Sequence, residues 1–306
     1  MIERERIEEA RAVPALSGGA LAPVANAGRW VNRFARTKPL GAIGGVITIL
    51  LILVAVAAPL LAPYGAKETL GAAKVHNPPS LEHPMGTDHV GRDLLSRIIY
   101  GAQISLMVGF GSVIVGITVG FVLAITTTYA GSWVDLAFQR LVDAMTALPG
   151  LIIALAIVAV LGSSLQNVII AIIVGMLAPV VRTVRSQVLT LKELDYVLAA
   201  RAIGASSRRI VFRHITPNCM AIVLVVGTYY LGLAITIEAS LSFLGVGVPP
   251  DVPSWGGILK RDAEEHVKTA PWAAIFPGLA IFVIVFGFNL LGDALRDVFD
   301  PKLRGR

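Results

Sequence analysis

The sequence predicts an all-α, polytopic membrane protein with six transmembrane helices, and three observations carry that prediction. Hydrophobic residues make up 55% of the 306 residues and charged residues only 15%, against about 25% charged in soluble chains. Residues 40–62 contain no charge, and a helix of that length, at about 1.5 Å per residue, reaches roughly 35 Å and crosses a bilayer core. Lys and Arg are shared unevenly among the segments that join the apolar runs, as the orientation rule for membrane proteins requires.

Residues 1–38 mix acids, bases, Pro and Gly, and are read as a tail that is disordered or loosely attached to a surface, in preference to a short helix in its opening MIERERIEEARAV. The first apolar run is too long for a signal-peptide core and lies behind that tail, so it is read as a retained span. Further apolar runs cover about residues 104–129, 137–161, 168–189, 219–244 and 272–291. The stretch between Asp143 and Arg182 has no charge and is too long for one crossing; GSSLQN, residues 162–167, supplies the dividing turn.

Six crossings put both termini on one side. With that side inside, 19 of the 26 Lys and Arg residues lie in the tails and inner loops and 7 in the outer loops, which predicts cytoplasmic termini. The net charge of +6 is then a topology signal and gives no support to nucleic-acid binding. The resulting division is a tail at 1–38, a six-span domain at 39–292 and a tail at 293–306. Within the domain, outer loops occupy 63–103 and 246–271, and an inner loop occupies about 190–217. The single cysteine, Cys219, excludes an intrachain disulfide and a cysteine-built metal or redox site.

The inner loop contains VLAARAIGASSRRIVFRHITPN, residues 197–218. Val197, Ala200 and Ile203 follow helical spacing, Gly204 interrupts, and Ile210, Val211 and His214 resume it, which predicts two short helices meeting at a glycine elbow. Ala199, Ala200, Gly204, Ala205 and Ser206 leave one surface small, with Arg208 and Arg209 on its flank. A bland reading competes: a basic connector that merely obeys the orientation rule.

The spacing resembles the signature loop of ATP-binding-cassette (ABC) importer permeases: Glu-Ala-Ala, three residues, Gly, nine residues, then a position two before Leu-Pro. Ala199, Ala200, Gly204, His214 and Pro217 occupy matching places. Leu198 replaces the acid and Thr216 the leucine, so one polar contact that the family makes is missing. HPMGTDHVGRDLLSRIIYGAQISLMVG (83–109), EASLSFLGVGVPPDVPSWGGIL (238–259) and the closing GDALRDVFDPKLRGR are similar to the C-type permease subunit of dipeptide, oligopeptide and nickel importers. The resemblance runs from about Arg33 to the C-terminus.

It implies the fold of a type I ABC importer permease, placed in a bacterial inner membrane, that takes up small peptides, with nickel or glutathione uptake as the alternative. Implied partners are a related second permease, two cytoplasmic ATPases, an external solute-binding protein and membrane lipid. Tyr196, Ala199, Ala200, Arg201, Gly204, Ala205, Ser206, Arg208, Arg209, His214 and Pro217 would couple to an ATPase. The sequence has no G-x-x-x-x-G-K-[ST] phosphate loop, so no cofactor is expected on this chain, and ATP and Mg belong to the partner ATPases. No catalytic residue is expected.

Asp88, Arg92, Glu238 and Ser242 are candidates for a translocation path or gate. Glu238 lies inside a span, where a charge costs about 2.5–3.5 kcal/mol on insertion scales, so it must face protein or water; a helix-to-helix hydrogen bond is its other reading. His76, His83 and His89 beside Asp88 and Asp93 superficially suggest a metal site but lack regular ligand spacing, and no metal is expected. Leu94, Leu95, Ile98 and Ile99 oppose Arg92, Asp93 and Arg97 around a helix, predicting an amphipathic stretch along the outer interface. Arg140 and Asp143, three apart, are expected to pair. Two rival classes remain: an ion-coupled secondary transporter, which would show mid-membrane ionisable groups and repeats, and a membrane scaffold, which would leave the matched loop unexplained.

Overall fold

The computed structural model describes residues 32–299; most of the expected N-terminal tail and the last seven residues lie outside that range. The first span, α1 (Pro39–Val56), begins on a proline, whose fixed φ and missing N–H suit the first helical turn. A break at Ala57 leads into a single extra turn, α2 (Ala58–Leu61). Span two is α3 (Leu94–Ala130), 37 residues long, or about 55 Å at helical rise. It starts ten residues before the expected position, inside what the sequence suggests is outer loop. Asp93 starts it by accepting a hydrogen bond from the Ser96 N–H.

The third apolar run is not one straight crossing. It divides into α4 (Ser132–Thr146) and α5 (Gly150–Leu161), bent by 86°. Pro149 caps α5; lacking an N–H, it cannot continue the ladder from α4. The twelve residues of α5 reach only about 18 Å, short of a bilayer core. Among the described residues, five helices are therefore long and apolar enough to cross a membrane, and the bent pair makes six if it counts as one span.

The GSSLQN turn folds as its composition predicts. Gly162 ends α5 with φ +86°, and Ser164 caps α6 (Leu165–Lys192) by accepting from the Asn167 N–H at 3.1 Å. Next come α7 (Asp195–Ala202) and α8 (Ser207–Ile210), then a π turn (Val211–Ile215) that leads directly into α9 (Thr216–Phe243). The outer loop after it holds α10 (Trp255–His266), and α11 (Trp272–Phe299) closes the chain. The expected loop at 190–217 is thus largely helical, that at 246–271 holds a twelve-residue helix, and the last span continues seven residues into the expected C-terminal tail. Among the described residues there is no strand, only an isolated bridge between Thr87 and Asp93.

The core lies where α3, α6, α9 and α11 meet, around Val108, Ile172, Val184, Ile235 and Phe288. The face expected to lie outside closes over it. Trp255 is buried and donates its indole N–H to the Ile98 carbonyl at 2.9 Å. Gly101 makes room, since a Cβ there would stand 2.7 Å from the Trp255 ring.

Candidate functional site

The inner segment is a capped helix end followed by a rod. At the end of α7 the Gly204 N–H donates to the Arg201 carbonyl and the Ala205 N–H to the Ala200 carbonyl, both at 3.0 Å. That pair of bonds is a Schellman closure, which needs a residue in the left-handed region. Gly204 supplies it with φ +84°. A Cβ at Gly204 would meet nothing within 4 Å, so inside this chain the glycine answers to backbone conformation and not to crowding. Ser206 then caps α8, its hydroxyl accepting from the Arg209 N–H at 3.4 Å.

The second helix of the elbow is not short. Residues Ser207–Phe243 run as one 37-residue helical length, so span five begins at the elbow itself. The π turn sits where Pro217 cannot donate to the carbonyl four residues earlier, and wider spacing there accommodates the lost bond.

Packing sorts the predicted coupling residues. Val197, Ala200, Ile210 and Ile215 are buried against the bundle, while Ala199, Gly204, Ser206, Arg208, Arg209, Arg213 and Pro217 are exposed and Ala205 and His214 are partly exposed. Ala200, expected on the small outward surface, points inward instead. Ile203, expected to share the inward face, is 87% exposed. Three-residue steps fall short of a 3.6-residue turn, so two of them carry it about 120° off the face of Val197. Tyr196 is exposed, and its ring lies 6.0 Å from that of His214. Phe212, 74% exposed, is an apolar surface residue that the sequence pattern does not single out. Arg201 is also exposed and lines a cleft with Lys192.

The four path or gate candidates fall into two polar clusters. In the outer loop, the buried Asp88 carboxylate accepts from the N–H groups of Val90 and Arg92 at 3.0 and 2.9 Å and from the Arg92 guanidinium at 2.8 Å, with Arg97 Nε 3.4 Å away. Burial pushes its pKa up, but the Arg92 N–H, the two guanidinium groups and the Val90 N–H outweigh that and hold it below the usual carboxylate range. Arg97 is 1% exposed, so residues 94–99 are no interfacial stretch; they are the opening turns of span two, with Leu94 packed on Ile258, Ala270 and Ala273. His83 contacts Asp93 at 3.0 Å, and the His76 ring lies 4.2 Å from that of His266, tilted by 36°. No three metal-ligating residues converge among the described residues.

In the second cluster, Glu238 is fully buried and accepts from Ser242 at 2.8 Å and from Ser105, across in span two, at 3.2 Å. Ser242 in turn accepts the Val248 N–H at 3.2 Å. Glu238 therefore ties span five to span two and to the start of the outer loop. On the inner side, Asp143 pairs with Arg182 at 2.5 Å, and the expected partner Arg140 is 3.9 Å away and mostly exposed. Asp135 and Arg185 form a two-point pair at 2.8 and 2.5 Å.

Residues 116–305 match the family described as binding-protein-dependent transport system inner membrane component, a stretch that contains the whole elbow. The chain belongs to that family. Residues 30–79 match the N-terminal transmembrane domain of oligopeptide transport permease C. The dipeptide transport system permease protein DppC of Alkalihalophilus pseudofirmus is 42% identical over 277 residues, 90% of each chain. The glutathione transport system permease protein GsiD of Escherichia coli O157:H7 is 42% identical over 270 residues, covering 88% of this chain and 89% of that one. A chain of the MetNI methionine ABC transporter, solved in inward-facing conformations, shares the fold with TM-score 0.55 and 18% identity, over 67% of this chain and 96% of that one. The protein is an ABC importer permease of the bacterial inner membrane, and its relatives are named as permease subunits of transport systems.

Proposed function

We propose that this permease forms half of a peptide-conducting pathway, paired with a related second permease, and that partner ATPases drive it through the elbow. The observation that carries the reading is the joining of an exposed, glycine-capped elbow to span five without a break. A partner that grips α7 and the elbow moves span five directly, because a continuous helix transmits displacement as a rigid body.

The gripping surface has a definite chemistry. Ile203, Tyr196 and Leu198 are its exposed apolar and aromatic side chains, and Arg208, Arg209 and Arg213 are exposed on the segment that follows. An apolar socket with an acidic rim on the ATPase fits that pattern. Leu198 occupies the place of the family acid, so apolar contact replaces one polar contact there. ATP and Mg bind in the ATPases, and the chain itself holds neither. The inner excess of Lys and Arg supports cytoplasmic termini, and the family description supports delivery from an external binding protein.

Two relatives named for dipeptide and glutathione transport support short peptides as the cargo. The test is uptake of labelled dipeptides and glutathione by cells carrying the transporter with its co-encoded subunits. ATP-dependent accumulation of either peptide, abolished by Ile203→Asp in a chain that still inserts, is expected. Uptake that survives ATP depletion and collapses with the proton gradient would overturn the reading.

A further inference from the structure

Behind the elbow, two clefts meet. The first, of about 480 Å³, is walled by the end of α3 (Thr128, Tyr129), the start of α4, the end of α6 (Lys192) and the elbow (Arg201, Ser207). The second, of about 400 Å³, is apolar and runs along α3 past Phe121, Val122 and Ile125, facing Val211 and Phe212. Tyr129 and Ser207 line both, so a polar chamber opens into a greasy groove on the side of a membrane-spanning helix.

The charges of the chamber are unbalanced. Asp135, the one acid among its described lining residues, is already held by Arg185. Lys192 acts on Asp135 only through space and Arg201 forms no ion pair among the described residues, and the Lys192 ammonium rests over the Tyr129 ring, 4.8 Å from its centre. The Tyr129 hydroxyl has no hydrogen-bond partner there. At the same wall, α4 starts after Gly131, which supplies no side-chain cap, with Asp135 in its first turn; its N-terminal N–H groups add to the positive side of the chamber only as a supporting feature.

We propose that the two clefts together bind one anionic phospholipid, with its phosphate between Lys192 and Arg201 and an acyl chain in the groove between span two and Phe212. Basic pockets beside apolar helix surfaces suit this amphiphile: the cations meet the headgroup and the groove buries methylenes. A free phosphate would satisfy the chamber but leave the groove empty. The bound lipid touches both the bundle and the elbow, so it braces the elbow in the conformation seen. The binding stands on the clefts alone; only that bracing draws on the coupling proposed above.

The test is native mass spectrometry of the assembled transporter, stripped of lipid and reloaded with phosphatidylglycerol, phosphatidylcholine or inorganic phosphate. Retention of phosphatidylglycerol over phosphatidylcholine is expected. Lys192→Gln should weaken it at least about tenfold, the loss of one charge-assisted contact, while Arg140→Gln, an equal change of charge outside the clefts, leaves it intact. Thr126→Trp, which fills the groove and keeps both cations, should also expel the lipid, and it keeps the test decisive if Lys192→Gln assembles poorly. Equal retention of the two lipids, retention that survives both substitutions, or binding of inorganic phosphate without phosphatidylglycerol would overturn the proposal.

Discussion

The two ends of the bundle handle polarity in opposite ways. At the end expected to face outward, Asp88, Asp93, Arg97 and Glu238 are buried, and the carboxylates are bonded within the chain. At the end expected to face the cytoplasm, Arg208, Arg209 and Arg213 are exposed, as is Ile203. The outer end is self-sufficient, as a lid must be to hold its shape. The elbow has the composition of half an interface, because an isoleucine that is 87% exposed gains nothing until something covers it.

Breaking the outer network should give the largest effect. Arg97→Ala leaves Asp88 with one guanidinium in place of two, and removing a partner from a buried pair costs about 3–5 kcal/mol. Thermal unfolding in detergent should show a much lower midpoint and early proteolysis of residues 63–93. Ile203→Asp should leave the unfolding midpoint unchanged and cost about 2 kcal/mol or more of ATPase association, read as lost copurification. If both substitutions lowered only stability, the contrast between the ends would fail.

Gly204 sharpens the comparison. Forcing a side chain into the left-handed region costs about 1–2 kcal/mol, and a Cβ there meets no atom of this chain. Gly204→Ala and Gly204→Leu should therefore destabilise the isolated permease equally. Uptake should fall further in the leucine variant only if a partner surface lies against the elbow, which parallel stability and transport assays separate.

Acid gives a smaller, directional effect. The Asp88 pKa is lower folded than its ordinary value of 3.8, so its contribution is complete above that value and is lost as pH falls through the folded pKa. The outer loop should resist proteolysis at pH 5 as well as at pH 7 and loosen only below about 3.8. Smallest of all, Arg140→Ala should change stability by no more than about 0.5 kcal/mol, since that side chain is exposed and Asp143 keeps Arg182.

The apolar runs were plain in the sequence because a span needs a long stretch without charge, and the turn at Gly162 because glycine and serine mark it. Span three misled: Pro149 sits within a run that reads as continuous, and hydropathy does not register a missing N–H. The elbow glycine was legible from spacing, but the helical extension into span five was not, since Pro217 reads as a boundary and the π turn that accommodates it has no composition of its own. The burial of Arg97 was hidden for another reason. Its partner Asp88 comes from the loop folding back, and a helical wheel places side chains only around one axis. Glu238 signalled itself as an intramembrane acid, while its partner Ser105, 133 residues away, carried no signal.

One measurement bears most directly on the handle at the inner end. A cysteine at Ser206, in a Cys219→Ser background, is treated with a short bifunctional crosslinker in inside-out vesicles that contain the whole transporter. An adduct with an ATPase subunit, changing in yield when ATP is added, is the predicted result. No adduct under either condition, or labelling of that cysteine only from the external side of sealed cells, would contradict the account.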